Sequence, residues 1–317
     1  MEKVREISLS PSPGLHQKAL LRLPEGPPRG AVQIIHGMAE HIRRYAPLAR
    51  ALGEAGYLVA GQNLRGHGEE APLRGYFARR GGWDALLADI HALRLEVARL
   101  YPGLPHVLLG HSMGSFLARC YLAEHGGGLQ GAVLSGTGSV GRGAALAGRF
   151  LAGGLVLLGR GRRPAKLLDA LAFSGNNRPF CPARTPFDWL SRDATQVAAY
   201  AQDPLCGFVL TGAGYRDLFT GLLRLREKRL VGETPKNLPL LFLSGDRDPV
   251  EKNGAGVLAA ARAYSLAGAG EVTVKLYPQA RHEVFNEENR EEVYRDLLCW
   301  LEGLPGGPGK APLDALP

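Results

Sequence analysis

One pentapeptide, Gly110-His-Ser-Met-Gly114, constrains the fold of this chain more than any other feature. The apolar run Val107–Leu109 before it predicts a buried strand, and the segment 115–124 after it predicts a helix. A sharp strand-to-helix turn with serine at its apex exposes the hydroxyl and aims helix N–H groups at it. Side chains in place of the two glycines would collide with the neighbouring strand and helix. We therefore predict that Ser112 is a nucleophile held in a strained turn.

Predicted strands alternate with predicted helices along most of the chain, which indicates βαβ units and a mostly parallel sheet. Two short strands at 3–9 and 17–23, each followed by a Pro/Gly-rich turn, predict a hairpin or meander at the start. The remaining strands are predicted at 31–35, 56–61, 105–109, 130–134, 238–244 and 271–277. Helices are predicted at 43–55, 83–101, 115–124, 252–265 and 286–301.

This alternation stops between about residues 138 and 235, where the sequence has Gly-rich patches and no clear strand. A structureless loop of that length is uncommon in a compact domain. We expect a small helical cap at 138–235, folded over the C-terminal edge of a sheet domain formed by 1–137 and 236–303. The Pro/Gly-rich segment 304–317 is expected to be a flexible tail.

The cap contains an apolar segment, 144–158, followed at once by Arg160, Arg162, Arg163 and Lys166. It is either a lid whose apolar face receives an acyl chain or touches a bilayer transiently, or a core helix with a solvated basic end. The glycine pair at 153–154 weakens the prediction of a rigid helix. Trp189 is expected to pack the cap, with Arg184, Asp188, Arg192 and Asp193 pairing around it, and a direct contact with substrate is the alternative.

The bulk composition excludes several classes of function. A net charge of +8 without a long basic block indicates a solvated basic surface, and basic residues are not interleaved with aromatics as in nucleic-acid modules. Neither phosphate-binding loops nor metal-ligand spacings occur, so no cofactor or metal is expected. The four cysteines are scattered and predict reduced, mostly buried thiols in a cytoplasmic protein. Signal peptide and transmembrane patterns are absent, and the sequence carries no signature of an oligomeric state.

A serine nucleophile needs a base, and the base needs an acid that orients it. Two predicted strands after the cap end near such groups, at Asp246 or Asp248 and at His282. The order Ser, Asp, His is the order expected when these groups share the C-terminal edge of the sheet. We favour Asp248, which lies three residues after Gly245 and directly before Pro249. We expect Asp246 to make turn hydrogen bonds instead.

The tetrahedral intermediate of acyl transfer needs backbone N–H donors. Met113 follows the nucleophile directly and is expected to supply one donor. Met38 is expected to supply the other, because Gly37 allows the chain to turn inward after the strand 31–35.

Four motifs carry a resemblance to a known family: His36-Gly-Met-Ala-Glu-His41 with Arg44-Tyr45, Arg65-Gly-His-Gly68, Gly110–Gly114, and Gly245-Asp-Arg-Asp248 with His282. The chain resembles α/β-hydrolases of the monoacylglycerol lipase and lysophospholipase group over about residues 15–303. The resemblance implies a mostly parallel eight-stranded sheet with helices on both faces and an inserted helical cap. It also implies that Glu40 and His41 buttress the oxyanion loop. Asn63, where the family usually has an acidic residue, and Ser115, where it often has glycine, depart from the pattern.

The resemblance and the residues together predict a serine carboxylester hydrolase that cleaves a monoacylglycerol or lysophospholipid through an acyl-enzyme. Other chemistries share these groups, so a small-ester esterase, thioesterase, haloperoxidase or peptidase stays open. A non-catalytic ligand-binding protein on the same fold is the remaining alternative, and it predicts the loss of at least one of Ser112, Asp248 and His282.

Overall fold

The computed structural model describes residues 4–12, 15–138, 141–250 and 252–305. Within them, eight strands form one sheet in the order β1-β2-β4-β3-β5-β6-β7-β8. The first two strands form an antiparallel hairpin, β2 pairs antiparallel with β4, and the strands from β3 to β8 run parallel. The strands are β1 Val4–Ser12, β2 Leu15–Arg22, β3 Ala31–Ile35, β4 Leu58–Gln62, β5 His106–His111, β6 Gly131–Ser135, β7 Leu240–Gly245 and β8 Val272–Tyr277.

Helices cover both faces of this sheet. Side chains of α1 and α10 pack on one face, and those of α2, α3 and α9 pack on the other. These helices are α1 Ala46–Glu54, α2 Gly82–Leu100, α3 Met113–His125, α9 Ala255–Leu266 and α10 Arg290–Glu302. The predicted fold class, an α/β sheet with helices on both faces, is therefore confirmed.

The predicted helices differ from the observed ones mainly at their starts. The segment 43–55 begins as the 3-10 turn Ile42–Tyr45, and α1 follows it because Pro47 fits only the first turn of an α-helix. The segment 286–301 likewise begins with the 3-10 turn Val284–Asn286 before α10. In the segment 252–265, α9 starts only at Ala255, after Gly254 at φ 87°.

Between β6 and β7 the chain forms helices and no strand within the described residues. They are α4 Arg142–Leu157, α5 Lys166–Phe173, α6 Ala194–Gln202, α7 Gly212–Arg224 and α8 Lys228–Glu233, with 3-10 turns at Arg178–Phe180 and Asp188–Leu190. The glycine pair 153–154 does not interrupt α4. Gly148 is required where α4 meets α7, since a Cβ there would lie 2.4 Å from the Phe219 ring. The boundaries of the cap at 138 and 235 stay a prediction.

Three smaller expectations have outcomes in the structure. Two cysteines are buried, Cys120 and Cys206, whereas Cys181 and Cys299 are exposed, and all four are free. No described helix has the length and apolar character needed to cross a membrane. Leu304, at the start of the predicted tail, is buried, and 306–317 lie outside the described residues.

Candidate active site

Ser112 lies at the apex of a strained turn between β5 and α3. Its backbone adopts φ 52° and ψ −120°, a region that residues with a side chain rarely occupy. A Cβ on Gly110 would lie 2.4 Å from the carbonyl oxygen of Gly114, and one on Gly114 would lie 2.1 Å from that of Ile35. Both glycines are therefore required for the turn to pack between the strand and the helix.

His282 and Asp248 meet Ser112 at the carboxyl ends of three parallel strands. The Nε2 atom of His282 lies 2.9 Å from the Ser112 hydroxyl oxygen, and its Nδ1 lies 2.7 Å from an Asp248 carboxylate oxygen. The other carboxylate oxygen of Asp248 accepts from the Val250 N–H at 2.9 Å. The carboxylate of Asp246 instead accepts from the Gln279 N–H at 2.7 Å. The structure thus brings together the three side chains chosen from the sequence and leaves Asp246 in a turn.

The electrostatics of this group favour a chargeable imidazole. Burial is the largest single influence and disfavours the charged form of His282, but the carboxylates of Asp248, Glu283 and Glu40 together outweigh it and raise the pKa of the ring above its ordinary value. His111, whose ring centroid lies 4.9 Å from that of His282, behaves in the opposite way. Burial and the positive charge of the His282 imidazolium lower the pKa of His111 to about 4. The pair therefore places one chargeable ring beside one that stays neutral.

Met38 and Met113, the expected oxyanion donors, belong to two segments that border Ser112. Met38 is in the loop after β3, Met113 is the first residue of α3, and both line the cavity that contains Ser112. A Cβ on Gly37 would lie 3.2 Å from the Ser112 Cβ, so the loop passes close to the serine. Within the described residues, no acceptor takes up the N–H of Met38 or that of Met113.

Buried charges hold the loop that contains Met38. The Glu40 carboxylate accepts from the Gly37 N–H at 2.5 Å and from the Tyr45 hydroxyl at 2.9 Å. The Arg44 guanidinium donates to Glu40 at 2.6 Å. Glu40 thus buttresses this loop, as the resemblance implied.

His41 serves a different contact, between the same loop and the cap. Its Nε2 lies 2.8 Å from the Asp203 carboxylate, and the Gly207 N–H donates to the Ala39 carbonyl at 2.9 Å. His41, Asp203 and Cys206 also form the one group of potential metal ligands found within the described residues. Burial raises the pKa of the Cys206 thiol to about 12, so this sulfur stays protonated at neutral pH. We interpret the group as a polar contact that fastens the cap.

Two buried histidines fix the same loop by accepting hydrogen bonds. The Ala39 N–H donates to Nε2 of His67 at 3.2 Å, and the Leu64 N–H donates to Nε2 of His36 at 3.0 Å. Burial lowers the pKa of each histidine to about 3, so both rings are neutral and able to accept. The motif Arg65–Gly68 therefore acts through His67 on the loop beside Ser112, a role that the sequence did not reveal.

Asn63, the first departure from the family pattern, makes a hydrogen bond outside the group of Ser112, His282 and Asp248. Its side-chain oxygen accepts from the Ile42 N–H at 3.0 Å, at the start of the 3-10 turn before α1. The departure at Ser115 places a hydroxyl that donates to the Ser112 carbonyl at 2.6 Å. Neither residue removes Ser112, Asp248 or His282.

A cavity of about 700 Å³ lies over Ser112 and extends under the cap helices. Its walls are mostly apolar and come from α3, α4, α5, α7 and the loop before α7. They include Phe116, Leu151, Leu168, Phe208, Leu218 and Leu222. One polar pair is built into them, since the Tyr215 hydroxyl donates to the Asp169 carboxylate at 2.6 Å. The volume is within the range of sites that bury a drug-sized ligand.

Trp189 packs within the cap and also lies beside His282 in the cavity. Its ring lies 5.1 Å from that of His282 and 6.3 Å from that of Phe173, and it lines the cavity. The expected pairing around Trp189 is wrong in part. Arg184 does pair with Asp188, but Arg192 pairs with Glu287 at 2.9 Å, and Asp193 pairs with Arg290 at 3.1 Å. These partners come from the loop and helix after His282, which no local spacing could indicate.

Residues 26–289 match the protein family described as Hydrolase_4, serine aminopeptidase S33. The chain belongs to this family. The matched range contains the turn at Ser112, the loops that carry Asp248 and His282, and the helices between β6 and β7.

Individual relatives cover most of the chain. The monoacylglycerol lipase of Mycolicibacterium smegmatis is 33% identical over 279 residues, which span 88% of this chain and 90% of the relative. The monoglyceride lipase of Homo sapiens is 29% identical over 289 residues, which span 88% of this chain and 84% of the relative. Among solved structures, a thermostable carboxyl esterase from Bacillus coagulans in complex with glycerol superposes with a TM-score of 0.89 at 31% identity, over 96% of this chain and 99% of the esterase.

Proposed function

We propose that this chain is a serine carboxylester hydrolase that cleaves monoacylglycerols or lysophospholipids through an acyl-enzyme on Ser112. The observation that carries the proposal is the continuous hydrogen-bonded line from Ser112 through His282 to Asp248, open to an apolar cavity of about 700 Å³. A lipase in Mycolicibacterium smegmatis and one in humans, both named for monoacylglycerols, support the substrate class. The scattered free cysteines support a cytoplasmic location.

The reaction begins with attack of the Ser112 hydroxyl oxygen on the ester carbonyl carbon. His282 takes the hydroxyl proton at Nε2, and Asp248 accepts from Nδ1–H and stabilises the imidazolium. The tetrahedral intermediate collapses as His282 gives the proton to the leaving alkoxide oxygen, which releases the alcohol. Water then attacks the acyl-enzyme with His282 again as the base, and the fatty acid leaves.

Met38 and Met113 supply the N–H donors for the negative oxygen of each tetrahedral intermediate. Their places in the lining of the cavity that contains Ser112, and the absence of another acceptor within the described residues, support this role. Positive partial charge at the start of α3 adds to the stabilisation. Removal of one such donor typically slows an enzyme by about 100-fold to 1,000-fold.

An apolar surface on the cap supports transient contact with a lipid surface. Large side chains on α4, α5 and the turn between them face solvent, with Phe150 82% exposed and Leu157 90% exposed. The others are Leu146, Leu151, Leu158, Leu167 and Leu171, and we call this set the cap patch. Four cations adjoin it, Arg160, Arg162, Arg163 and Lys166, which suits anionic headgroups. Such a surface would bring the cavity to substrates that reside in membranes.

Hydrolysis of matched substrates tests the proposal. Purified protein is given a long-chain monoacylglycerol, the corresponding lysophospholipid, a short-chain glycerol ester and an amide that differs from the first only in the scissile bond. We expect both long-chain esters to be cleaved at least about 100-fold faster than the amide, since an amide is the harder bond to break. In the S112A variant, ester hydrolysis should fall by about 10⁶-fold. Preference for the amide would overturn the proposal, and preference for the short ester would restrict it to small esters.

A further inference from the structure

Arg44 links two buried carboxylates that lie on different loops of the site. Its guanidinium donates to both oxygens of Glu283 at 2.6 Å and to Glu40 at 2.6 Å. The three side chains are 10%, 6% and 3% exposed, in the order Arg44, Glu283, Glu40. A fork of this kind fixes distance and angle at once, because guanidinium and carboxylate are both planar. The pairing therefore sets how far apart the two loops sit.

Each carboxylate is connected to a residue with a proposed role in the reaction. Glu40 holds the N–H of Gly37, the residue before Met38. Glu283 follows His282 directly, and its own N–H donates to the carbonyl of Leu190 in the cap at 2.8 Å. The side chain of Asn286 also donates to Glu283, at 3.0 Å. One guanidinium thus connects the loop with the oxyanion donor to the loop with the base.

The charges of this group add to the field at His282. Two carboxylates and one guanidinium leave a net charge of −1 beside the ring. Asp248 after β7 contacts the His282 ring directly, as do neutral His111 at the end of β5 and uncharged Trp189 from the cap. Glu283 on the same loop and Glu40 before the first 3-10 turn act on the ring through their charge, and Arg44 pairs with both of these carboxylates. Burial lowers the pKa of His282, and the carboxylates of Asp248, Glu283 and Glu40 raise it. Burial alone would raise the pKa of Glu283, but Arg44 lowers it to about 2 and keeps it ionised.

We infer that Arg44 and Glu283 are positioning residues of the reaction: their fork sets the distance from the Met38 loop to His282, and the Glu283 carboxylate places a negative charge on the loop that carries His282. The inference rests on the proposed function, because it assigns roles around the same serine and base. Geometry comes from both residues and charge comes from Glu283, so two substitutions separate the contributions. Neither residue touches the reacting atoms.

The test measures the rate at which a fluorophosphonate labels Ser112 as a function of pH. Labelling needs the base but no particular substrate, so it reads this inference even where monoacylglycerol hydrolysis fails. The acid side of the profile reports the ionisation of His282 in the free enzyme, since the ring must be neutral to act as a base. Hydrolysis of a long-chain monoacylglycerol is measured on the same samples for kcat and KM.

E283Q keeps the shape of the side chain and removes its charge. Arg44 then retains Glu40 as a partner, so no unpaired buried charge results. We expect the labelling rate and kcat to fall about tenfold with little change in KM, as for a loss of positioning. We also expect the acid limb to move to lower pH, because the charge that raises the pKa of His282 is gone.

R44K keeps the positive charge and removes the fork. We expect a similar fall in labelling rate and kcat with the acid limb close to that of the wild-type protein. D296N is the matched control: it removes a carboxylate that pairs with Lys275 and Tyr277, on α10. Its rate and acid limb should match those of the wild-type protein.

Three results would overturn the inference. One is an E283Q profile identical to that of the wild-type protein in rate and acid limb. Another is a D296N profile that changes as much as that of E283Q. The third is a wild-type protein that takes no label at Ser112, which would overturn the proposed function as well. Label on Ser112 without monoacylglycerol hydrolysis would count against the proposed substrate alone. Circular dichroism at each pH shows which variants are folded.

Discussion

The loops around Ser112 and the cap patch differ in how many contacts hold them in place. The loops around Ser112 are held by buried charges, accepting histidines and glycines that tolerate no Cβ. The cap patch exposes large apolar side chains, and its glycines at 153 and 154 have open space around them. Chemistry needs atoms held to fractions of an ångström, whereas lipid contact needs only apolar area. The contrast predicts that changes in the two regions alter different properties.

Between pH 7.5 and 5.5, acid should destabilise the molecule chiefly through buried histidines of the sheet domain. The pKa values of His36, His67 and His106 are lowered to about 3 and that of His111 to about 4, in each case chiefly by burial. The segment 138–235 contains no histidine. Between about pH 6.5 and 4 these four histidines bind protons in the unfolded chain but stay neutral in the folded protein. The free energy of unfolding therefore falls as pH falls. Between pH 6.5 and 5.5 the loss is about 1 kcal/mol for each ring.

Urea unfolding at pH 7.5, 6.5 and 5.5 measures this loss. His282, whose pKa lies above its ordinary value, gains stability on acidification and offsets part of the loss. H106Q is a useful variant, because His106 is the first residue of β5 and Ser112 follows the other end of that strand. Its ring contacts Gln33 of β3. The variant should flatten the slope by about a quarter and leave labelling unchanged. A free energy of unfolding that stays constant or rises as pH falls would contradict the account.

A methyl group on Gly37 should be costly for catalysis. Its Cβ would lie 2.7 Å from a Glu40 carboxylate oxygen and 3.2 Å from the Ser112 Cβ. In G37A the Met38 loop must move, so we expect kcat/KM to fall about 100-fold. Steady-state kinetics on a long-chain monoacylglycerol checks this. Unchanged kinetics in G37A would show that the loop does not need its observed position.

Polar substitutions in the cap patch should separate lipid contact from chemistry. F150S with L157S removes two of the most exposed apolar side chains of α4. We expect binding to anionic phospholipid vesicles to weaken about tenfold, since each side chain gives up apolar burial in the bilayer. Cleavage of a dissolved short-chain ester should stay the same. L266S, on the 79% exposed Leu266 of α9, is the matched control and should leave vesicle binding intact.

The smallest effect is expected at a cap glycine. Gly153 is in the interior of α4, and a Cβ added there would meet no other part of the described chain within 4 Å. Alanine there should raise the stability of the cap helices by about 1 kcal/mol, because glycine is a poor helix former. Thermal unfolding measures the gain, and kcat/KM should not change. A loss of activity in G153A comparable to that in G37A would remove the distinction between the two regions.

Local sequence patterns were sufficient for the sheet and for the hydrogen-bonded group of Ser112, His282 and Asp248. Gly110 and Gly114 mark a turn that only glycines permit, and parallel strands bring Asp248 and His282 to the edge where Ser112 lies. The Arg44–Glu283 fork joins residues 239 positions apart, so no spacing rule could indicate it. The polar partners of Arg192 come from the loop after His282 for the same reason. The cap helices pack through complementary shapes, as Gly148 of α4 does against Phe219 of α7. The spacing of apolar residues along the sequence does not indicate which helices meet in this way.

Mass-spectrometric mapping of the fluorophosphonate adduct tests whether Ser112 is the nucleophile. We expect a single adduct, on the peptide that contains Ser112, and none in S112A. We also expect a long-chain monoacylglycerol to compete with labelling, because both occupy the cavity over Ser112. An adduct on another residue, or an unlabelled but folded wild-type protein, would contradict this role of Ser112.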